Sequence, residues 1–341
     1  MSQKLADFHD FFSQHKEPAF RSKQVCEWIW KKHARSFRAM SNIPSSLRSL
    51  LDAHFYFEPL RIEQLDASTD LTTKVVFLAQ DDQRFEGVLI PAGNRVTACI
   101  SSQVGCPLGC KFCATGLLGF RRNLMSHEIY DQVILLDRLA QEQLKKKLSN
   151  IVIMGMGEPL LNDEEVIKAI RKWCDPEGAA ISPQRITLST VGIPEGIRRL
   201  ASAHVKIQLA VSLHSASQHK RETIIPAAKK FTLLALSEAL EAYYRLTRQR
   251  IVVEYLMLKD VNDSIQDARE LAAFCKRFPV KINLIEYNRV DKTGFERSSD
   301  EKMEAIAAFL KRLNMVVNIR KSRGEDIAAA CGQLALRNKK T

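Results

Sequence analysis

From residue 96 onward the chain alternates short Val/Ile-rich runs with helix-period segments, and this alternation restricts the fold more than any other feature. The runs are VTACIS (96–101), NIVIMGM (150–156), RITLST (185–190), KIQLAVSLH (206–214), RIVVEYLM (250–257), VKINLIEY (280–287) and MVVNIR (315–320). Helical periodicity fills the intervals near 126–143, 163–174, 194–203, 231–248, 265–277 and 299–313. Runs with so few polar interruptions predict strands covered on both faces. Repeated βα units predict a parallel sheet whose functional groups collect at the strand C-terminal ends. Six such units fall short of a closed eight-fold barrel, so the fold class is α/β with an open or partial (β/α)6-type barrel.

Upstream of this series, residues 1–54 predict three short helices. LADFHDFFSQH carries Leu5, Phe8, Phe11 and Phe12 at helical spacing, RSKQVCEWIWKKH sets Val25, Trp28 and Ile29 on one face, and Pro44 opens a third helix in SSLRSLLDAHF. Residues 55–91 predict a polar loop with an edge strand, then a β-hairpin of KVVFLAQ and RFEGVLIP turning at Asp81 and Asp82. The expected division is a helical accessory module (1–54), a linker and hairpin (55–91), the βα core (92–322) and a C-terminal loop with a basic tail (323–341).

Charge points to the partner. The chain holds 51 Lys and Arg against 39 Asp and Glu, and residues 1–54 and 311–341 together carry 10 of the 12 excess positive charges. Two basic ends favour a polyanion. No membrane span is expected, because the apolar run IVVEYLML is broken by Glu254. Asp7, His9 and Asp10 argue against a secretory leader, and eight cysteines in 341 residues are too dilute for a disulfide scaffold, so the expected location is cytoplasmic. Cys26, Cys174 and Cys275 fall on helix patterns and read as packed small apolar residues.

The densest chemical signal is GCPLGCKFCATG (105–116), where Cys106, Cys110 and Cys113 follow C-x3-C-x2-C spacing just after the first strand of the series. Three thiolates in one Gly/Pro-bearing loop can converge on a soft metal. Three ligands leave one iron of a [4Fe–4S] cluster open to a substrate; a zinc site completed by a fourth ligand such as Cys99 is the alternative on spacing alone. Further candidates stand at successive strand ends: Gly157 and Glu158 in GMGEP (155–159), Ser189, the trio Ser212, Leu213 and His214, and Asn288. Glu86 shares a two-residue period with Val88 and Ile90, which turns it to their covered face. Arg121 and Arg122 behind the cysteine loop, and Arg320, Lys321 and Arg323 before Cys331, are candidate phosphate contacts.

The cysteine loop and the strand-end motifs resemble the radical S-adenosylmethionine (SAM) superfamily. Within it, VTACISSQVGC (96–106), GMGEPLLN (155–162), RITLSTVGI (185–193), EYLMLKDVND (254–263) and RGEDIAAACGQL (323–334) resemble the RlmN/Cfr family of radical SAM RNA methyltransferases, over nearly the whole chain. The resemblance implies a radical SAM barrel with a helical accessory domain and a β-hairpin extension. It implies a [4Fe–4S] cluster on Cys106, Cys110 and Cys113, and SAM held by Gly157, Glu158, Ser189, Ser212, Leu213, His214 and Asn288. Two SAM are used per turnover: one methylates Cys331, and the second is cleaved reductively to a 5′-deoxyadenosyl radical that activates the S-methyl group. The carbon radical adds to adenine, and Cys99 attacks the Cys331 sulfur to release the product through a transient disulfide. Glu86 matches the family's proton acceptor. A flavodoxin or ferredoxin supplies electrons.

The implied substrate is an adenosine of 23S ribosomal RNA, with tRNA as a second RNA, and the implied position is C2. The stretches DASTDLTTKVVF and RVDKTGFERSS depart from the usual family pattern, so C8 methylation and a divergent RNA target stay open. From another class, a non-catalytic, zinc-stabilised RNA-binding protein accounts for the charge and the three-cysteine loop. It leaves Cys99, Cys331 and the ordered strand-end motifs unexplained.

Overall fold

A computed structural model describes residues 5–32, 34–55, 57, 60–176, 179–291 and 293–336; the basic tail expected at 337–341 lies outside the described residues. Helices α1 (Leu5–Gln14), α2 (Phe20–Cys26) and α3 (Ser45–His54) build the N-terminal module. Its core is aromatic: the rings of Phe8 and Phe11 lie 4.8 and 4.9 Å from that of Phe55. The second helix is not continuous. After Cys26 it widens into one π turn over Glu27–Lys31, where Lys32 N–H reaches back to Glu27 C=O at 3.0 Å. Trp30, in this turn, sets its ring edge-on to Tyr130 with centroids 5.0 Å apart. The module and the rest of the chain share one contiguous apolar core.

Strands β1 (Arg61–Ala67), β2 (Thr73–Leu78), β3 (Arg84–Ala92) and β4 (Arg95–Ile100) form an antiparallel meander. The expected hairpin is β2–β3, and Asp82 takes the positive φ of its turn, +61°. The polar stretch before it supplies an edge strand, β1, and a tight turn over residues 68–72. Next come β5 (Gln103–Gly105), α4 (Ala114–Leu118), β6 (Phe120–Asn123) and α5 (Ser126–Leu144), with β5 and β6 pairing apart from the main sheet. The βα series continues as β7 (Asn150–Ile153), α6 (Asp163–Cys174), β8 (Ile186–Thr190), α7 (Pro194–Ser202), β9 (Gln208–Ser212), α8 (Gln218–Ile224) and α9 (Leu233–Thr247). It ends with β10 (Ile251–Met257), α10 (Ile265–Cys275), β11 (Val280–Glu286), α11 (Asp300–Arg312) and β12 (Val316–Arg320). The sheet has ten strands in the order β1-β2-β3-β4-β7-β8-β9-β10-β11-β12, parallel from β4 onward. The hairpin extension and the partial barrel are therefore one surface.

The register separates two rows of side chains. Ile100, Ile153 and Leu188 lie side by side, and the same face carries Leu209, Val211, Val253 and Ile282, all fully or almost fully buried in the core. The opposite face carries Cys99, Ser189, Ser212, Glu254, Asn283 and Asn318. Most polar residues in the Val/Ile runs fall on this second face; Thr190 and Glu286, at strand C-terminal ends, lie buried on the first.

Candidate active site

The loop after β5 carries Cys106, Cys110 and Cys113 over an apolar floor of Leu108, Ile224, Ile225, Leu256, Leu258 and Tyr287. Burial pushes all three thiols up, Cys106 to about 12, and each feels a neighbouring cysteine or the loop's own N–H groups. Among the described residues no group of three His, Cys, Asp or Glu side chains is placed to hold a metal ion. A four-iron cube bonds a different iron to each thiolate and takes a wider set of ligands. Sequence reasoning missed Arg221, a fully buried cation in the field of Cys110, whose guanidinium donates to the carbonyls of Leu213, Phe231 and Val191. Burial pulls its pKa down to about 10, yet it stays charged at neutral pH and offsets thiolate charge.

The strand-end residues gather beside this loop. Gly157 has φ +101°, and a Cβ there would stand 2.6 Å from Gln103 Cβ, so only glycine lets the β7 end pass this close. Glu158 is buried and accepts N–H from Leu160 at 3.0 Å and from Val191 at 2.8 Å, tying the ends of β7 and β8 together. Burial raises its carboxyl to about 7 against the pull of these bonds. Ser189 and Ser212 meet at 3.3 Å between hydroxyl oxygens. His214 Nδ1 accepts Leu256 N–H at 3.1 Å, and its ring stands edge-on to Phe112 of the cysteine loop, 4.8 Å between centroids. Burial and the nearby Arg221 lower its pKa to about 3, so it is neutral. Leu213 lies wholly in the core, with its N–H and C=O bonded to Glu254 and Arg221.

Of the five cysteines outside the loop, the fold brings Cys99 and Cys331 within electrostatic reach of each other. Cys99 is buried on β4 and Cys331 is exposed in the C-terminal segment; both are free thiols and each lies in the other's electrostatic field. Burial pushes Cys99 up to about 12, with repulsion from Cys331 adding to it and Arg320 opposing. Cys331 is raised by the protein packed around it and lowered by Arg320. Arg320 is held by Glu254 at 3.4 Å; Glu254 also accepts Asn283 Nδ2 at 3.0 Å and keeps Oε2 buried without a partner, an acceptor that a bound ligand can fill. Asn288 Nδ2 donates to Cys331 C=O at 3.2 Å.

Four parts of the chain pin the segment that carries Cys331. Asp70 accepts Gly324 N–H at 3.1 Å, and Asp326 accepts Ser68 Oγ at 2.6 Å and Thr69 N–H at 3.2 Å. Ala114 N–H reaches Gly332 C=O at 2.7 Å, and Thr115 Oγ1 reaches Leu334 C=O at 2.7 Å. Gln333 Nε2 donates to Arg289 C=O at 3.0 Å. Glu86 Oε2 accepts Ala335 N–H at 2.8 Å, while Oε1 sits 3.5 Å from Lys74 Nζ. Glu86 is buried on the face of β3 shared with Val88, as its period predicts, and Val88 pairs with Cys99. The turn that lacks the usual family residues is thus the one that docks the C-terminal loop.

Two other features lie apart. Arg122 is clasped between Asp81 and Glu128, at 2.6–2.8 Å, joining the β2–β3 turn to α5; it is not a free phosphate contact. Arg121, Lys321 and Arg323 are exposed. A cavity of about 540 Å³ is lined by Arg171, Lys172, His204 and Lys206, among others, at the strand N-terminal ends. Cys174 also lines it, but none of Cys99, Cys106, Cys110, Cys113 and Cys331 does, and Lys172 is already paired with Asp175.

Comparison with known proteins matches this geometry. Residues 2–57 match the family described as "Ribosomal RNA large subunit methyltransferase N-terminal domain", and residues 100–274 match the "Radical SAM superfamily". The chain is 49% identical over 334 residues to a "Probable dual-specificity RNA methyltransferase RlmN" of Cytophaga hutchinsonii, covering 98% of this chain and 92% of that protein. A similarly named protein of Salinibacter ruber is 41% identical, covering 97% and 92%. Its fold superposes on a radical SAM methyltransferase from Sphaerobacter thermophilus with a TM-score of 0.92, at 35% identity and 98% coverage of both chains. No helix of the described residues is long and apolar enough to cross a membrane. The superfamily implies a [4Fe–4S] cluster and SAM, and the apolar three-thiol loop, the Gly157 approach and the open Glu254 oxygen fit them. Along nearly its whole length, the chain belongs to the RlmN family of radical SAM RNA methyltransferases.

Proposed function

We propose that this chain methylates C2 of an adenosine in 23S ribosomal RNA and in tRNA, with the methyl group carried on Cys331, in the cytoplasm. What supports the reading is the bond from Ala114 N–H to Gly332 C=O, which seats the Cys331 segment against the three-cysteine loop, with Cys99 and Arg320 within electrostatic reach of Cys331. Cys106, Cys110 and Cys113 hold the cluster; Gly157, Glu158, Ser189, Ser212, His214 and Asn288 frame the SAM site, and Leu213 supports it from the core. When bound, the cluster and SAM supply a 5′-deoxyadenosyl radical, two SAM being used per turnover and the electrons coming from a flavodoxin or ferredoxin.

The chain's own groups do the rest. Cys331 is accessible, and Arg320 favours its thiolate, the form that accepts a methyl group. The loop anchors hold that sulfur toward the substrate, and Lys74 fixes the Glu86 carboxylate as proton acceptor. The Cys99 thiolate attacks the Cys331 sulfur; the disulfide forms as the sulfur–carbon bond breaks, and the carbon keeps that electron pair and takes a proton to become the methyl group. The test is mass analysis of RNA nucleosides from a deletion strain with and without this chain restored. The expected result is 2-methyladenosine that appears only on restoration; 8-methyladenosine, or no change, overturns the reading.

A further inference from the structure

We propose that the exposed apolar rim of Leu117, Leu118 and Phe120 is the docking surface for a small acidic electron-carrier protein, and that electrons enter the cysteine loop there. The inference rests on the functional reading above, since a cluster on Cys106, Cys110 and Cys113 gives the electron its destination. Leu117, Leu118 and Phe120 are 54%, 43% and 44% exposed, three large apolar side chains within four residues. Large apolar groups gathered on a surface mark a contact site.

The rim is bonded to two of the three cluster cysteines. Leu117 N–H donates to Cys113 C=O at 3.3 Å, and Cys106 N–H donates to Gly119 C=O at 3.0 Å. Gly105 and Gly119 run so close that a Cβ on Gly105 would fall 1.9 Å from Gly119 O. Leu118 is five residues beyond Cys113, ~8 Å along a helix. A protein seated on the rim is therefore about one helical turn from the loop that receives the electron.

Charge and position select the occupant. Residues 111–125 contain no Asp or Glu, and exposed Lys111 and Arg121 flank the apolar side chains. A carrier with an apolar contact surrounded by carboxylates is complementary, and electron-transfer complexes are of the small size such a patch supports, below ~1,200 Å². RNA fits less well. Leu117 and Leu118 offer neither stacking nor hydrogen bonds, Phe120 alone can take a single base, and the first turn of α4 is already covered by the Cys331 segment through Ala114 and Thr115. In the step itself the carrier is oxidised by one electron and the cluster is reduced by one; no bond or proton is exchanged at the rim.

The test uses the full-length holoenzyme, reduced flavodoxin as the probe and two variants, Leu117→Glu/Leu118→Glu and Phe120→Glu. Flavodoxin affinity is measured by calorimetry without turnover, and SAM cleavage is driven in parallel by flavodoxin or by dithionite. Both variants are expected to bind flavodoxin at least tenfold more weakly and to lose flavodoxin-driven cleavage in proportion. Dithionite-driven cleavage and RNA affinity should stay within twofold of wild type. Wild-type flavodoxin affinity in both variants, or a loss of RNA affinity in its place, overturns the proposal. Absence of any SAM cleavage by the wild-type protein with dithionite would instead defeat the functional reading, and the binding measurement stands apart from it.

Discussion

On the proposed mechanism, burial of Cys99 slows product release. Its thiol is pushed up to about 12 from an ordinary 9.0, first by burial and then by repulsion from Cys331. At pH 8 a thiol of pKa ~12 is ~10⁻⁴ ionised where an ordinary one is ~10⁻¹ ionised, a factor of ~1,000. A more basic thiolate is also the better nucleophile, and a Brønsted coefficient of ~0.4–0.5 returns part of that factor, leaving release roughly 30- to 60-fold slower. In the adduct Cys331 is a neutral thioether, so its repulsion disappears while burial, the larger cause, remains. The protein–RNA adduct should be formed anaerobically at pH 7, jumped to values between 7 and 10, quenched in acid and read as a nuclease-sensitive band on a denaturing gel. Its decay should accelerate about tenfold per pH unit and continue to do so past pH 9, since only the thiolate attacks. Arg320→Met removes the cation that favours the Cys99 thiolate and should slow decay at every pH. Cys99→Ala should hold the band throughout. A plateau below pH 9, pH-independent decay, or loss of the band in Cys99→Ala would refute this account.

Two further outcomes are expected. Replacing any one of Cys106, Cys110 or Cys113 by Ala should remove most of the iron and abolish SAM cleavage; full iron content in all three variants, by metal analysis, would remove the ligand assignment. His214 is neutral in the fold with a pKa of about 3, below its ordinary 6.5, so its contribution to stability is complete above pH 6.5 and is lost as pH falls toward 3. Between pH 7.5 and 5 that loss is ~2 kcal/mol in the apo-protein, and urea titrations should find it absent in His214→Gln. An equal acid sensitivity in both proteins would show that other groups carry it.

The βα series was legible because Val/Ile runs and helical periods are local properties of the chain. The faces were not. Ser189 and Ser212 stood out at strand ends, but Glu254 read only as an interruption of an apolar run until the register set it beside Ser212, on the face that also carries Ser189. Cys106, Cys110 and Cys113 announce themselves by spacing within one loop, whereas Cys99 and Cys331 become a pair only through the fold, and only resemblance drew them from the sequence. Lys74 and Arg221 left no signal, since a charged residue on a strand or helix ordinarily reads as solvated. Their partners, Glu86 and three carbonyls from separate loops, are assembled by tertiary structure. Arg122 shows the converse, a cation that looked free in sequence and is held by carboxylates from two other elements.

The anchors of the Cys331 segment impose an order of assembly. Ser68 and Asp326 are separated by 258 residues, and Glu86 and Ala335 by 249. On a ribosome these partners appear last, after every strand of the barrel has been made. A loop that long carries a closure cost that is recovered only once the ends are docked, so the segment settles onto a barrel already built. Until then the cysteine loop lacks its bonds to Gly332 and Leu334, and it is more open to iron–sulfur delivery than in the finished chain.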